Sequence, residues 1–144
     1  MRMRRKVFDA IAAHARRESP RECCGLLIGT EHEVIDASAA ANVAAEPLRH
    51  YQVSPSDHFA QIKRCRELAS QGAAAVNIIG VYHSHPRSDP RPSPTDLEAA
   101  FEEFLYIIAG PVDDSAPLEV RAYRLRAGRF EDVQLTAIPT GEAV

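Results

Sequence analysis

The sequence predicts an α/β (α+β) fold in which a mixed β-sheet is packed with helices. Three observations carry this expectation. Short apolar, β-branched runs recur in "CGLLIG", "VNIIGVYHSH" and "FLYIIAG"; two longer segments repeat apolar residues at helical spacing; and the strand-like runs come in pairs and triples instead of alternating one for one with helices. A chain of 144 residues is long enough to bury a substantial core as a single domain spanning 1–144.

Apolar residues at 7, 8, 11, 12 and 15 mark the first helix, which must stop at or before Ser19 because Pro20 restricts the residue preceding it. "CGLLIG" follows as a strand, "HEVIDASAA" is β-tolerant, and "HYQVS" is a short strand candidate. In "SPSDHFAQIKRCRELASQG", Ser54 or Ser56 can cap a second helix and Pro55 suits its first turn. Phe59, Ile62, Cys65, Leu68 and Ala69 form its apolar face, which ends at Gly72. "VNIIGVYHSH" reads as a buried strand, "SPTDLEAAFEE" as a short helix and "FLYIIAG" as another strand. "LEVRAYRLR" and "RFEDVQL" flank Ala127-Gly128 as a hairpin, with a slip of alternation at Ala122-Tyr123 that suggests a bulge. The order α-β-β-β-α-β-α-β-β-β implies a mixed sheet, and neither an internal repeat nor a low-complexity linker interrupts it.

Composition excludes several classes. A hydrophobic content of 45% and a charged content of 26% belong to an ordinary folded protein. The net charge of -3 gives no general attraction to nucleic acid or anionic lipid, and the one basic cluster, "MRMRRK", reads as a solvated N-terminal turn. No run approaches the roughly 18 apolar residues of a membrane span, and the first helix lacks the apolar core of a signal peptide, so the expected location is cytoplasmic. Three cysteines, with Cys23 and Cys24 adjacent, suit reduced thiols better than a disulfide framework.

The chemistry concentrates in "GVYHSHPRSDPRPSPTDLEAA". Side chains alternate along a strand, so His83 and His85 project to the same side with Cα atoms roughly 6.5 to 7 Å apart. Two imidazoles at that spacing can converge on one metal ion, and desolvating both is costly without such a partner; the other reading is a strand that has reached solvent. Neutral histidines with a carboxylate suit Zn²⁺, whose catalytic sites keep three protein ligands and one open position. Asp96 is the candidate carboxylate, since Pro86, Pro90 and Pro92 stiffen the loop that leads to it. Ser93 and Asp96 are equally good as a helix start, with Ser93 as cap and Pro94 in the first turn, and both readings stand. Glu22, by its own spacing, is a solvated turn residue. Cys23 or Cys24 as a thiolate nucleophile is a further alternative, and Arg87 and Arg91 read as solvated loop residues or a receptor for a substrate carboxylate.

Glu22 before "CCGLLIG", "HSHP" at 83–86, seven residues between His85 and Ser93, and "SPTD" at 93–96 together resemble the JAMM (MPN+, JAB/Mov34) metalloprotease signature. The resemblance runs over roughly residues 5 to 110, in the element order of the small prokaryotic members. It implies a curved mixed sheet flanked by helices, akin to the cytidine-deaminase-like arrangement. It implies that His83, His85 and Asp96 bind Zn²⁺, that Glu22 is the general base, and that Ser93 hydrogen-bonds the water or the developing oxyanion. The implied activity is hydrolysis of an amide or isopeptide bond at the C-terminal Gly-Gly of a ubiquitin-like or sulfur-carrier protein. A non-catalytic MPN-type scaffold and a zinc amidase for small molecules are the competing functions. On the resemblance, "CGLLIG" and "NIIGVYHSH" must be neighbouring strands for Glu22 to reach the histidines.

Overall fold

In the computed structural model, which describes residues 1–72 and 76–140, eleven elements alternate around one sheet. They are β1 (Arg2–Arg4), α1 (Arg5–Glu18), β2 (Cys24–Gly29), β3 (Glu33–Ala40), α2 (Pro55–Ser70), β4 (Asn77–Ser84), α3 (Pro94–Glu98), β5 (Leu105–Gly110), β6 (Glu119–Arg126), β7 (Arg129–Val133) and β8 (Thr136–Ile138). The sheet has eight strands in the order β7-β6-β5-β4-β2-β3-β1-β8. It is mixed, as expected: β4 pairs with β5 in parallel and β1 is parallel to both β3 and β8, while the remaining pairs are antiparallel.

The first helix ends before Ser19, where Pro20 forbids its continuation. Its buried stripe, Val7, Ile11, His14 and Ala15, lies over the sheet, where Leu27, Tyr82, Leu105, Ile107, Ala109 and Ala122 complete the core. Burying each large apolar side chain there contributes on the order of 1.5–3 kcal/mol. His14 fits this apolar stripe because its Nδ1 lies 2.7 Å from the Tyr82 hydroxyl, which satisfies both buried polar groups. Tyr82 therefore faces α1, and alternation along β4 sends His83 to the opposite face.

Several sequence expectations need correction. "MRMRRK" is not a solvated turn: Met3 is fully buried and Arg2–Arg4 fill the gap between β3 and β8. Arg4 and Arg2 both reach Glu33, which lets a basic segment lie within a sheet. "HYQVS" forms only the single bridge Asn42↔Val53, because the Asn42 side chain takes up the loop's next backbone groups and ends the ladder. The helix over "SPTDLEAAFEE" is confined to five residues, and the chain then turns back with Phe101 N–H donating to the Tyr106 hydroxyl. Phe59 is 65% exposed, since α2 packs chiefly on β3 and β4 and buries only Cys65. No bulge occurs at Ala122-Tyr123, where pairing to both neighbours is continuous. Both residues are buried because both faces of β6 are covered there, so the apparent slip is burial on two sides. The register shifts lie instead in β2, around Leu27–Gly29. The hairpin at Ala127-Gly128 forms as expected, with φ of 52° and 75° at the two turn residues.

Candidate metal centre

The site is assembled where β2 begins and β4 ends. Antiparallel pairing sets Cys24 opposite His83, so Glu22, two residues earlier, comes beside the end of β4. Ser84 locks this seam: its Oγ accepts from Cys23 N–H at 2.8 Å and its N–H donates to the Cys23 carbonyl at 3.1 Å. Glu22 is gripped through its own backbone, with its N–H donating to the Pro47 carbonyl at 2.8 Å and its carbonyl accepting from Asn42 Nδ2 at 2.9 Å. The carboxylate is buried, and Oε1 has no hydrogen-bond partner among the described residues.

His83 and His85 are buried and their Nε2 atoms lie 3.1 Å apart. Both face Asp96 Oδ2, at 3.3 Å from His83 and 3.2 Å from His85. His85 is held from behind by its Nδ1 at 2.9 Å from the Asp89 carbonyl, while His83 packs face to face on Tyr51, with ring centroids 4.2 Å apart and planes 18° from parallel. The proline-rich loop between His85 and Asp96 is pinned from outside, where the Tyr123 hydroxyl donates to the Pro90 carbonyl at 2.8 Å. Asp96 sits in the first turn of α3 under a reciprocal cap: Ser93 N–H donates to Asp96 Oδ2 at 2.8 Å and Asp96 N–H donates to Ser93 Oγ at 3.1 Å. Capping and placement at the site thus coincide in the same two residues.

Electrostatics follow from this crowding. Burial pushes the Glu22 carboxyl up to about 8; the nearby His85 works against that and Asp96 adds to it. Burial alone would raise Asp96, but the hydrogen bonds from His83 and His85 and from the Ser93 N–H hold it well below the usual carboxylate range. Burial pulls His83 down, against the hydrogen bond and charge of Asp96. In His85 burial acts the same way, but the hydrogen bonds to Asp96 and the Asp89 carbonyl and the charges of Asp96 and Glu22 outweigh it and raise it.

In the tautomer that turns the Nε2 lone pairs inward, three donor atoms 3.1–3.3 Å apart inside a buried pocket could hold a cation. Donor atoms bound at about 2.0–2.1 Å to a tetrahedral ion lie about 3.3–3.4 Å from one another, so this triangle matches one face of such a tetrahedron. Ligand atoms of Glu22, His83 and His85 also lie within 4.8 Å of one another, which makes Glu22 a rival to Asp96 for the third position. The shorter contacts favour Asp96, since its Oδ2 touches both imidazoles, and Glu22 is left beside the cluster with a free oxygen.

Burial disfavours Cys23 and Cys24 as nucleophiles. Burial pushes Cys23 up to about 11 and Cys24 up to about 12, so neither is a thiolate near neutral pH. Arg87 and Arg91 are exposed, as solvated loop residues are. Sequence reasoning missed Ser84, Asn42 and Tyr51. The serine's signal was its position between the two histidines; nothing in the local sequence pointed to the other two, whose roles arise from contacts across the fold.

Residues 4–126 match the family described as prokaryotic homologs of the JAB domain. A desampylase from Haloferax volcanii is 36% identical over 110 residues, covering 72% of this chain and 75% of its own. A CysO-cysteine peptidase from Mycobacterium tuberculosis is 31% identical over 140 residues, covering 94% of this chain and 90% of its own. Among solved structures, a JAB1/MPN domain protein from Archaeoglobus fulgidus superposes with a TM-score of 0.61 at 22% identity, over 96% of this chain and 99% of that one.

Proposed function

The chain belongs to the family of prokaryotic JAB-domain proteins, and from that premise we propose that it is a zinc-dependent peptidase or isopeptidase of the JAMM type. Its substrate is an amide or isopeptide bond at the C-terminal Gly-Gly of a ubiquitin-like or sulfur-carrier protein. One observation carries the reading: His83, His85 and Asp96 bring three ligand atoms within 3.1–3.3 Å of one another, next to a buried Glu22 with an unpartnered oxygen. The names of the relatives, a desampylase and a CysO-cysteine peptidase, support a small protein carrier as substrate.

His83, His85 and Asp96 would hold the metal. Zinc bound there supplies Lewis acidity for an attacking water and a carbonyl, and its positive charge favours the ionised form of Glu22. Glu22 then has the work of a general base: its free oxygen takes a proton from water on attack and returns one to the leaving amine. The Glu22 backbone bonds to Pro47 and Asn42 hold that carboxylate still while the proton moves. Ser93 accepts at Oγ from Asp96, which leaves its O–H proton to donate to the oxygen on which charge develops. Its replacement would remove both a helix cap and a stabilising donor.

The competing functions are a non-catalytic scaffold and an amidase for small molecules. Full-length zinc-loaded protein should cleave a Gly-Gly-terminated carrier fusion, and Glu22→Gln should lower the rate by about 10²–10⁴-fold while leaving zinc stoichiometry unchanged. Bound zinc without turnover on any such fusion would leave a scaffold, and short amides cleaved as fast as fusions would point to the amidase. We place this activity in one domain spanning the chain, in a reducing cytoplasmic setting, which suits three free buried cysteines. Among the described residues no helix is long and apolar enough to cross a membrane.

A further inference from the structure

The two metal-facing histidines are held in different ways. His85 has the usual arrangement, one ring nitrogen toward the site and the other within hydrogen-bond distance of a backbone carbonyl, that of Asp89 at 2.9 Å. His83 does not. Its Nε2 faces His85 and Asp96, but its Nδ1 is buried with no hydrogen-bond partner among the described residues. A ligating imidazole with no bond at the second nitrogen lacks the contact that ordinarily sets its plane. Tyr51 lies flat against it, 4.2 Å between centroids and 18° from parallel, so rotation of the His83 ring about its Cβ–Cγ bond would drive it into the tyrosine.

Besides the backbone bonds from His50 N–H to the Glu46 carbonyl and from Val43 N–H to the Gln52 carbonyl, one side chain holds the segment around Tyr51. Asn42 Nδ2 donates to the His50 carbonyl and Asn42 Oδ1 accepts from Gln52 N–H, at 2.9 and 3.0 Å, so the residues on both sides of Tyr51 are pinned. The same amide donates to the Glu22 carbonyl at 2.9 Å and accepts from Ala44 N–H at 3.0 Å, using both donors and both lone pairs. Two carbonyls on one side and two N–H groups on the other permit only one orientation of the amide. A single clamp therefore registers Glu22 and Tyr51 against the same strand end.

We infer that Tyr51 is the positioning residue for His83, replacing by aromatic stacking the hydrogen bond that holds His85, and that Asn42 couples this stack to Glu22. The inference rests on the metal-site reading above. The stacking ring is what matters, so an aromatic substitute should serve and an aliphatic one of similar bulk should not.

The test uses full-length wild type, Y51F and Y51M, with Y51L in reserve should Y51M not fold. In metal-free protein, NMR of the His83 ring reports the stack directly: its protons should carry a ring-current shift in wild type and Y51F that is lost in Y51M. Zinc affinity, measured by chelator competition, should stay within about 3-fold of wild type in Y51F and weaken about 10–100-fold in Y51M, the range for losing an orienting contact. The absorption spectrum of cobalt-substituted protein should change in Y51M and not in Y51F. Tight zinc binding by wild type that is unchanged in Y51M would overturn the positioning role and leave the metal site standing, as would equal losses in Y51F and Y51M, which would assign the effect to the hydroxyl. A wild type that binds no zinc would overturn the metal-site reading, and the positioning role with it.

Discussion

Glu22 is a carboxylic acid placed where water is scarce, with a pKa raised to about 8, yet the general-base role proposed for it requires the ionised form. Burial alone therefore favours the protonated form, and this has a measurable consequence. An acid whose folded pKa exceeds its unfolded value stabilises the fold fully below the unfolded value, and that stability is lost as pH rises through the folded one. For Glu22 the window runs from the ordinary value of 4.5 to about 8. Metal-free wild type should lose stability across it relative to metal-free E22Q, measured as the difference in urea midpoints at pH 5 and pH 8. Equal midpoint changes in the two proteins would mean that Glu22 is not held protonated. His83, pulled down by burial, is present in both proteins, and because the Glu22 charge also helps to raise His85, the difference reports Glu22 together with its coupling to His85; Asp96, depressed, changes charge below its ordinary 3.8. At this scale the sequence made His83, His85, Ser93 and Asp96 legible, because their spacing is local. Glu22 needed the family resemblance, since 61 residues separate even its neighbour Cys23 from Ser84. Tyr51 and Asn42 could not be found at all, because stacking and amide contacts leave no pattern in a chain read along its length.

Among the elements, β5 does as much for the site as β4. The His85 N–H donates to the Ala109 carbonyl at 2.8 Å and Val112 N–H donates to the Pro86 carbonyl at 2.9 Å, so the histidine loop leans on the end of β5. Gly110 makes that approach possible: a Cβ there would sit 2.2 Å from the His85 carbonyl oxygen and 3.0 Å from that of Ser88. Backbone atoms cannot yield as a flexible side chain can, so Gly110→Ala should displace the loop. The expected result is a loss of stability of about 1–3 kcal/mol in urea unfolding together with at least a tenfold loss of zinc affinity. Unchanged affinity would mean that β5 supports the loop without positioning His85. The elements themselves were mostly readable from period and punctuation, such as the stop at Pro20, the cap at Ser54 with Pro55 behind it, and the turn at Ala127-Gly128. Expectation failed where a partner outside the segment intervened. Asn42 cut "HYQVS" to one bridge, and coverage of both faces of β6 made alternation look like a bulge.

For the whole molecule, the sheet is tied together by its first residues. Met3 is fully buried and β1 joins β3 to β8, so three residues extend a sheet that would otherwise end at β3. Met3→Ala should cost about 2–5 kcal/mol in urea unfolding. A cost near zero would show that β1 and β8 are a detachable edge. The core under α1 and the candidate metal site also lie on opposite faces of β4, with Tyr82 turned one way and His83 the other, so the strand serves both without sharing side chains. Taken alone, the sequence determined the mixed α/β class, most helix and strand positions and the histidine–aspartate signature, because each is written in short-range spacing and period. Only the tertiary structure decided that a basic N-terminus becomes an interior strand, that Glu22 stands beside the histidines, and that Tyr51 lies flat on one of them. Those are pairings between distant segments, and their energy depends on which surfaces the folded chain brings face to face.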